Sequence, residues 1–274
     1  MQLGICRMCL KQKVLVQSHF VPRALYDYCR SADSEPIKFS NKIALTTSYQ
    51  AKDYLLCAEC ESVLNEGGEK WTVGKLAQMG RQHFPLYEIV TRAAPAYDEP
   101  DAKIYYGIDV PGLEIDKVIH FMAGILWKAS VHSWKKDKKE PWIELGPYSD
   151  KLRKYLLGEE AFPQHITLWM SIVPPEKAMI GFIEPHERIS EGGWKTYFCY
   201  MPGVLLAWNI GRQVSVELRQ GCFATNAYHP FLISNNVHER LEEITKKTYL
   251  GARKTKKLLE IKARRAAHMA VMTS

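Results

Sequence analysis

The sequence predicts an α+β fold: a small cysteine-rich ββα unit, then a larger α+β domain with an antiparallel sheet, then a basic helix. Three observations lead to this prediction. Two Cys-x-x-Cys pairs bracket the first 60 residues, apolar residues recur at helical spacing between residues 115 and 134, and short β-rich segments follow residue 165. The composition, 46% hydrophobic and 24% charged, is that of a packed globular protein.

The cysteine-rich unit is expected to contain two strands and two helices. Residues 14–16 and 43–47 favour strands because they are rich in aliphatic and β-branched side chains. A helix is predicted over residues 22–30, since proline suits the first helical turn. Residues 31–41 are polar and are predicted to form a loop. The second helix is expected to start near residue 58, within the second cysteine pair.

A helical connector is predicted after the cysteine-rich unit. Residues 69–92 show a mostly helical pattern that Gly74, Gly80 and Pro85 break. Residues 93–100 contain three alanines, two prolines and several acids, which favours an irregular connection.

The larger domain is predicted to combine helices with a sheet. Residues 103–110 alternate like a strand, and residues 115–134 carry apolar side chains every three or four positions, as a core helix does. A second helix is predicted over residues 150–157. The later segments are short, β-rich and bounded by proline or glycine, and they predict antiparallel strands at 166–173, 179–183, 195–201, 204–210 and 214–219.

The final segment, from residue 236 to about residue 270, is predicted to be a long charged helix with an interruption at Gly251. Much of the formal net charge of +7 lies there. Such a cluster suits the phosphates of a nucleic acid, and it equally suits a solvated basic helix. The predicted domains are therefore 1–68, the cysteine-rich finger; 69–100, the connector; 101–235, the α+β domain; and 236–274, the basic helix.

The two Cys-x-x-Cys pairs predict a structural zinc site. Seven cysteines, an odd number, do not suggest a disulfide framework. Two such pairs that meet in space supply four thiolates for a closed tetrahedral zinc site, which leaves no position for a water. The 47 residues between the pairs leave room for a hairpin and a short helix, and the alternative is that the thiols are incidental. The predicted ligands are Cys6, Cys9, Cys57 and Cys60.

Further motifs surround these cysteines. Ser18-His19-Phe20-Val21-Pro22 follows the first pair, and Leu55-Leu56-Cys57-Ala58-Glu59-Cys60-Glu61 closes the unit. Over residues 5 to about 65 the chain resembles the zinc-containing HNH, or His-Me finger, endonucleases, whose zinc knuckles have a treble-clef form. Its overall arrangement also resembles bacterial HNH-like proteins that join such a front end to a further domain.

The resemblance implies a catalytic histidine and one divalent cation. It implies that His19 is the general base that activates water, with Mg²⁺ or Mn²⁺ stabilising charge on the phosphate. Ser18 stands where the family has an aspartate, and Glu61 stands where relatives have an asparagine. The serine weakens cation binding, shifts it to Glu61 or marks a loss of cleavage. Asn65, one helical turn after Glu61, is a further candidate.

Each candidate residue also has a structural interpretation. His19 is alternatively a histidine that packs against the zinc knuckle and bonds to a backbone carbonyl. Glu61 is alternatively a solvated acid in a first helical turn, where negative charge is favourable. Asn65 is alternatively a polar residue near a helix end, before Gly67 and Gly68.

The first functional hypothesis is a metal-dependent endonuclease that hydrolyses phosphodiester bonds, with DNA ranked ahead of RNA as its substrate. Related HNH proteins act in anti-phage defence, so an antiviral role with a regulatory protein partner is a further expectation. The alternative is a non-catalytic zinc module that binds nucleic acid or protein. A third hypothesis places the function in a small-molecule site of the larger domain. The sequence shows neither a basic-then-apolar leader nor an apolar run of about 18 residues, so a cytoplasmic protein without membrane contact is expected.

Overall fold

The fold was analysed in a computed structural model of the whole chain. It describes residues 2–29, 37–40, 43–46, 50–77, 83–134, 140–178, 182–189 and 193–234, and beyond these only 239, 243, 246, 247, 250, 251, 253, 254, 259, 260 and 263. The fold is mixed α and β, as predicted.

The cysteine-rich unit is built on a three-stranded antiparallel sheet. Strands β1 (Gln2–Ile5), β2 (Gln12–His19) and β5 (Lys52–Cys57) lie in the order β1-β2-β5. Helix α1 (Arg23–Tyr28) follows β2, and helix α2 (Ala58–Leu64) follows β5 directly. The predicted strand at 14–16 and both helices are confirmed.

A β-bulge changes the register between β2 and β5. Val16 pairs with Leu56, but Gln17 pairs with Tyr54, so Leu55 is the extra residue. Bulges of this kind re-aim the residues that follow them. Beyond the bulge, Ser18 lies opposite Asp53 and His19 lies opposite Lys52, at the end of β2.

Helix α2 continues without a break into a π-helical turn (Asn65–Glu69) and then into α3 (Lys70–Val73). Two glycines let this turn lie against the core helix of the larger domain. A Cβ atom added to Gly68 would stand 2.2 Å from the carbonyl oxygen of Lys117, and one added to Gly67 would stand 2.3 Å from the His120 ring. Close approach therefore requires glycine at both positions.

The core helix is α5 (Ile115–Val131), which ends three residues before the predicted helix does. It is buried on nearly every side, packs against α6 (Tyr148–Leu156) and contacts α2, the π-helical turn and α3. Its buried residues join those of the finger in one continuous hydrophobic core. The domain boundaries predicted at residues 68, 100 and 235 stay predictions.

A seven-stranded sheet forms the rest of the larger domain. Its order is β6-β7-β12-β8-β11-β10-β9. The strands are β6 (Tyr97–Asp98), β7 (Ala102–Tyr106), β8 (Ile166–Ile172), β9 (Ile183–Ile189), β10 (Lys195–Met201), β11 (Val204–Ile210) and β12 (Pro230–Ser234). The pairing is antiparallel except between β12 and β8, so the predicted antiparallel sheet contains one parallel pair.

Several predicted elements differ in the structure. Residues 214–219 were expected to form a strand, but α7 (Val216–Gln220) lies there, because the Ser215 hydroxyl caps the helix by accepting from the Leu218 N–H at 3.3 Å. The predicted loop at 31–41 contains β3 (Ile37–Ser40). Of the predicted strand at 179–183, residues 179–181 lie outside the described residues, and Ile183 is the first residue of β9.

The connector and the final segment are only partly described. In the connector, the described helices are α3 and α4 (Pro85–Val90), and Gly80 lies outside the described residues. Most of the predicted helix from residue 236 to residue 270 also lies outside them. A two-residue strand, β13 (Arg253–Lys254), pairs with β4 (Ile43–Thr46) just after Gly251, where an interruption was predicted. In the described ranges, no helix has both the length and the apolar character of a membrane span.

Candidate functional site

The four predicted metal ligands meet in space. The sulphur atoms of Cys6, Cys9, Cys57 and Cys60 all lie within 4.8 Å of one another, and those of Cys9 and Cys57 are 4.0 Å apart. A tetrahedral ion with metal–sulphur bonds of about 2.3 Å places its sulphurs about 3.8 Å apart. These four side chains could therefore hold one metal ion.

Backbone groups prepare the cluster for negative charge. The Cys57 N–H donates to the Cys6 sulphur at 3.4 Å. Burial alone would raise the pKa of the Cys6 thiol, but N–H donors from Cys9, Cys57 and Met8 bring this pKa down to about 7. Burial raises the pKa of Cys57 to about 11, so in the metal-free cluster Cys6 loses its proton before Cys57 does. A bound ion would stabilise all four as thiolates.

Glu61, a predicted catalytic residue, faces the end of β2. The Ser18 hydroxyl donates to its carboxylate Oε2 at 2.6 Å, and Ser18 is fully buried. Burial raises the pKa of Glu61, while the positive charge of Lys128 and the hydrogen bond from Ser18 act in the opposite direction. The two residues at which this chain departs from the HNH pattern are thus bonded to each other.

A buried lysine lies beside this pair. Only 1% of the Lys128 side chain is exposed, and its Nζ donates to a carboxylate oxygen of Glu69 and to the backbone carbonyl of His19, the latter at 3.2 Å. Lys128 belongs to α5 and Glu69 to the π-helical turn, so the network joins three parts of the fold. An uncompensated charge at this depth would be costly, which explains why its partners are fixed.

His19 has a different set of neighbours. Its ring nitrogen Nε2 lies 3.1 Å from the side-chain oxygen of Gln50. An amide oxygen only accepts, so Nε2 carries the proton of the neutral ring and Nδ1 keeps its lone pair. Burial lowers the pKa of His19, and the charges of Lys52, Lys128 and Arg23 lower it further, against the effect of Gln50. The neutral form with a basic Nδ1 is favoured at pH 7.

Among the described residues, no hydrogen bond joins the side chains of the three predicted catalytic residues to one another. Side chains alternate along a strand, so the half-buried His19 ring and the buried Ser18 hydroxyl leave β2 on opposite faces. Hydrogen bonds among the described residues join Ser18 to Glu61 and His19 to Gln50, and none joins His19 to Glu61. Asn65 is exposed, and its side chain takes no part in either pair.

Three residues of this site were not among the residues predicted from the sequence: Gln50, Glu69 and Lys128. Gln50 follows a segment with no motif, and its distance of 31 residues from His19 gave no signal. Lys128 did have a signal, because it lies within the most apolar helical pattern of the chain. A lysine on the buried part of a core helix indicates a buried partner of opposite charge.

The end of β2 is anchored by aromatic rings. Phe20, next to His19, packs edge-on against Trp142 with ring centroids 4.4 Å apart, and its ring lies 5.5 Å from that of Trp134. Such pairs stabilise a fixed geometry beyond the area they bury.

Comparisons of the whole chain with protein-family models, with curated proteins and with solved structures found no significant match.

Proposed function

We propose first that the metal of the cysteine cluster is a structural zinc ion. Four sulphur ligands in a closed arrangement favour zinc, and they leave no open position at which the ion could activate water. The ion would link the β1–β2 turn to the start of α2, because Cys6 and Cys9 lie in the first and Cys57 and Cys60 in the second.

The zinc proposal is tested by metal analysis of the purified protein. One zinc per chain is expected, and Cys57→Ser should lose it. Cys29→Ala is the matched control, since Cys29 is buried but lies outside the cluster. Equal zinc content in both variants would contradict the assignment.

We propose further that the protein is an endonuclease that hydrolyses phosphodiester bonds, with DNA ahead of RNA as substrate. The observation that carries this proposal is the state of His19: a neutral ring with Nε2 held by Gln50, as a general base requires. Lys52 and Arg23 lie close enough to affect the His19 pKa, and their positive charge suits a phosphate.

In this mechanism Nδ1 of His19 takes a proton from water as the water oxygen attacks the phosphorus atom. The P–O bond to the leaving sugar oxygen breaks, and that oxygen takes up a proton from solvent. Gln50 keeps the ring in the reactive tautomer, and the Lys128 bond to the His19 carbonyl fixes the backbone. Positioning of this kind accounts for much of the efficiency of a general base.

The described residues do not form a good site for the second, catalytic cation. Mg²⁺ and Mn²⁺ prefer several oxygen ligands. Glu61, the one carboxylate among the predicted ligands, already accepts a hydrogen bond from Ser18, and the charge of Lys128 lowers its pKa. The proposed role of His19 therefore does not depend on an ion at Glu61.

A cleavage assay tests the nuclease proposal. Purified protein is incubated with plasmid DNA and with RNA in Mg²⁺, Mn²⁺ or EDTA. We expect DNA to be cut faster than RNA. A loss of cleavage in EDTA would show that the reaction requires a divalent cation. If neither DNA nor RNA is cut in any of the three conditions, the nuclease proposal is overturned.

The alternative is a non-catalytic module that binds nucleic acid or protein, and one observation favours it. Glu61 and Ser18, at the positions of the family's cation ligands, are used in a buried hydrogen bond. A protein that binds DNA with salt-dependent affinity but never cuts it would fit this second function.

A further inference from the structure

The β1–β2 hairpin exposes an unusual amount of apolar surface. Leu3 is 63% exposed, Ile5 57% and Val14 51%, and Leu10 in the turn is equally open. Leu3 lies directly opposite Val14, and Ile5 is two residues along β1, so these three side chains share one face of the sheet. We call Leu3, Ile5, Leu10 and Val14 the hairpin patch. Contiguous aliphatic surface of this kind marks an interaction site.

The backbone beside the patch is also available. In the described part of the chain, β1 has a strand neighbour on one side only, because the sheet order is β1-β2-β5. An edge strand carries a row of N–H and C=O groups to which another strand can bind. On the opposite face of the hairpin, Leu15 is buried and its side chain lies against Gly4.

The charged side chains of the hairpin itself are all basic. Residues 1–26 contain no aspartate or glutamate, and Arg7 and Lys11 are exposed in the turn. Among the described residues, no ion pair involves Arg7 or Lys11, whereas Lys13 is paired with Glu59 at 3.0 Å. A ligand of the patch should therefore carry negative charge.

Two other occupants suit the patch less well. A second copy of the chain would bring another patch with the same positive charges, and like charges oppose such contact. Nucleic acid is negative, but proteins bind its bases through aromatic rings and cations, and the patch offers aliphatic side chains without a ring. An acidic protein segment satisfies the charge, the apolar face and the open edge together.

We infer that β1 and the hairpin patch bind a protein partner through a strand of alternating aliphatic and acidic residues, which pairs with the β1 edge. The aliphatic side chains would cover Leu3, Ile5 and Val14, and the acids would lie near Arg7 and Lys11. This inference does not rest on the nuclease proposal, since the patch excludes His19.

The probe is a short fluorescent peptide in which valine and glutamate alternate, and fluorescence anisotropy measures its binding to the full chain. We expect saturable binding that the double variant L3S/I5S weakens at least about tenfold. Val216→Ser is the matched control, because Val216 is 63% exposed on α7 and lies outside the patch. It should leave the affinity unchanged, and equal zinc content in all variants shows that the finger is folded.

Four results would overturn the inference. The first is no binding of the valine–glutamate peptide, and the second is equal binding of a valine–lysine peptide. The third is self-association of the protein in sedimentation experiments that L3S/I5S abolishes, which would assign the patch to a second copy. The fourth is a loss of affinity for duplex DNA in L3S/I5S without an effect on the peptide, which would assign the patch to nucleic acid.

Discussion

At the scale of single residues, the site separates into two groups that share the end of β2. The buried network consists of two hydrogen-bonded pairs, Ser18–Glu61 and Lys128–Glu69, that interact through charge, and His19 with Gln50 forms a half-buried pair. The backbone carbonyl of His19 links them, because Lys128 donates to it. The buried network stabilises the fold, and the half-buried His19–Gln50 pair is the part that a substrate could contact.

Removal of the Lys128 charge should be strongly destabilising. Lys128→Met leaves Glu69 without its partner at a site where only 12% of the Glu69 side chain is exposed. Loss of one member of a buried pair costs about 3–5 kcal/mol in the free energy of unfolding. Denaturant unfolding at pH 7 measures it, with Lys70→Met as a control, since Lys70 forms an exposed pair worth less than about 1 kcal/mol. Equal losses in both variants would contradict the network.

The lowered pKa of His19 gives a pH dependence with a definite sign. The folded protein holds its proton less tightly than the unfolded chain, whose histidine titrates at about 6.5. The His19 contribution to stability is therefore fully present above about pH 6.5 and is lost as the pH falls through the folded value. Cleavage should follow the same direction, because only the neutral ring acts as a base.

The measurement compares cleavage rates and unfolding free energies of the wild type and His19→Gln between about pH 5 and 8. The difference between the two proteins isolates His19 from the other histidines. An inflection of this difference above about pH 6.5 would mean that the folded protein raises the pKa of His19, against the geometry found.

At the scale of elements, the π-helical turn sets the distance between the finger and the core helix. Glu69 reaches Lys128 because Gly67 and Gly68 let the turn approach α5. π-Helical turns occur frequently at functional sites, where one extra residue redirects the side chains that follow. Here the turn directs Glu69 toward the interior.

A side chain added at Gly68 should therefore lower the free energy of unfolding much more than one added at Gly74. Gly68→Ala places a methyl group 2.2 Å from the Lys117 carbonyl oxygen, whereas the Cβ of Gly74→Ala stands 3.5 Å from its nearest neighbour. We expect Gly68→Ala to lose roughly 1–3 kcal/mol of unfolding free energy. Gly74→Ala should change it by less than about 1 kcal/mol. Equal unfolding midpoints would show that α5 and the turn do not pack closely.

At the scale of the whole molecule, features set by local sequence patterns were predictable, whereas contacts between residues far apart in the sequence were not. The cysteine cluster was predictable because ligand spacing is local and metal chemistry restricts which residues meet. The core helix was predictable from its period, and β10 and β11 begin and end at the predicted residues. Helix α7 was not, because a cap at Ser215 outweighed a short alternating pattern.

The site was harder to predict than the fold. The bond between Lys128 and Glu69 spans 59 residues, and the bond between Ser18 and Glu61 spans 43. The resemblance to HNH nucleases indicated His19 and Glu61 as one site, but it did not indicate that Glu61 accepts from Ser18 or that the His19 ring contacts Gln50. The tertiary partner of each side chain, which no local pattern specifies, decides its role.

The most direct test of His19 as the general base is the cleavage rate of His19→Ala at pH 7, with zinc content and thermal midpoint measured on the same protein. We expect cleavage to be lost while zinc content and thermal midpoint stay unchanged, because the His19 ring bonds to Gln50 and lies outside the buried network. Undiminished cleavage in this variant would contradict the assignment of His19 as the general base. A loss of zinc or of stability would instead show that His19 is part of the structural core.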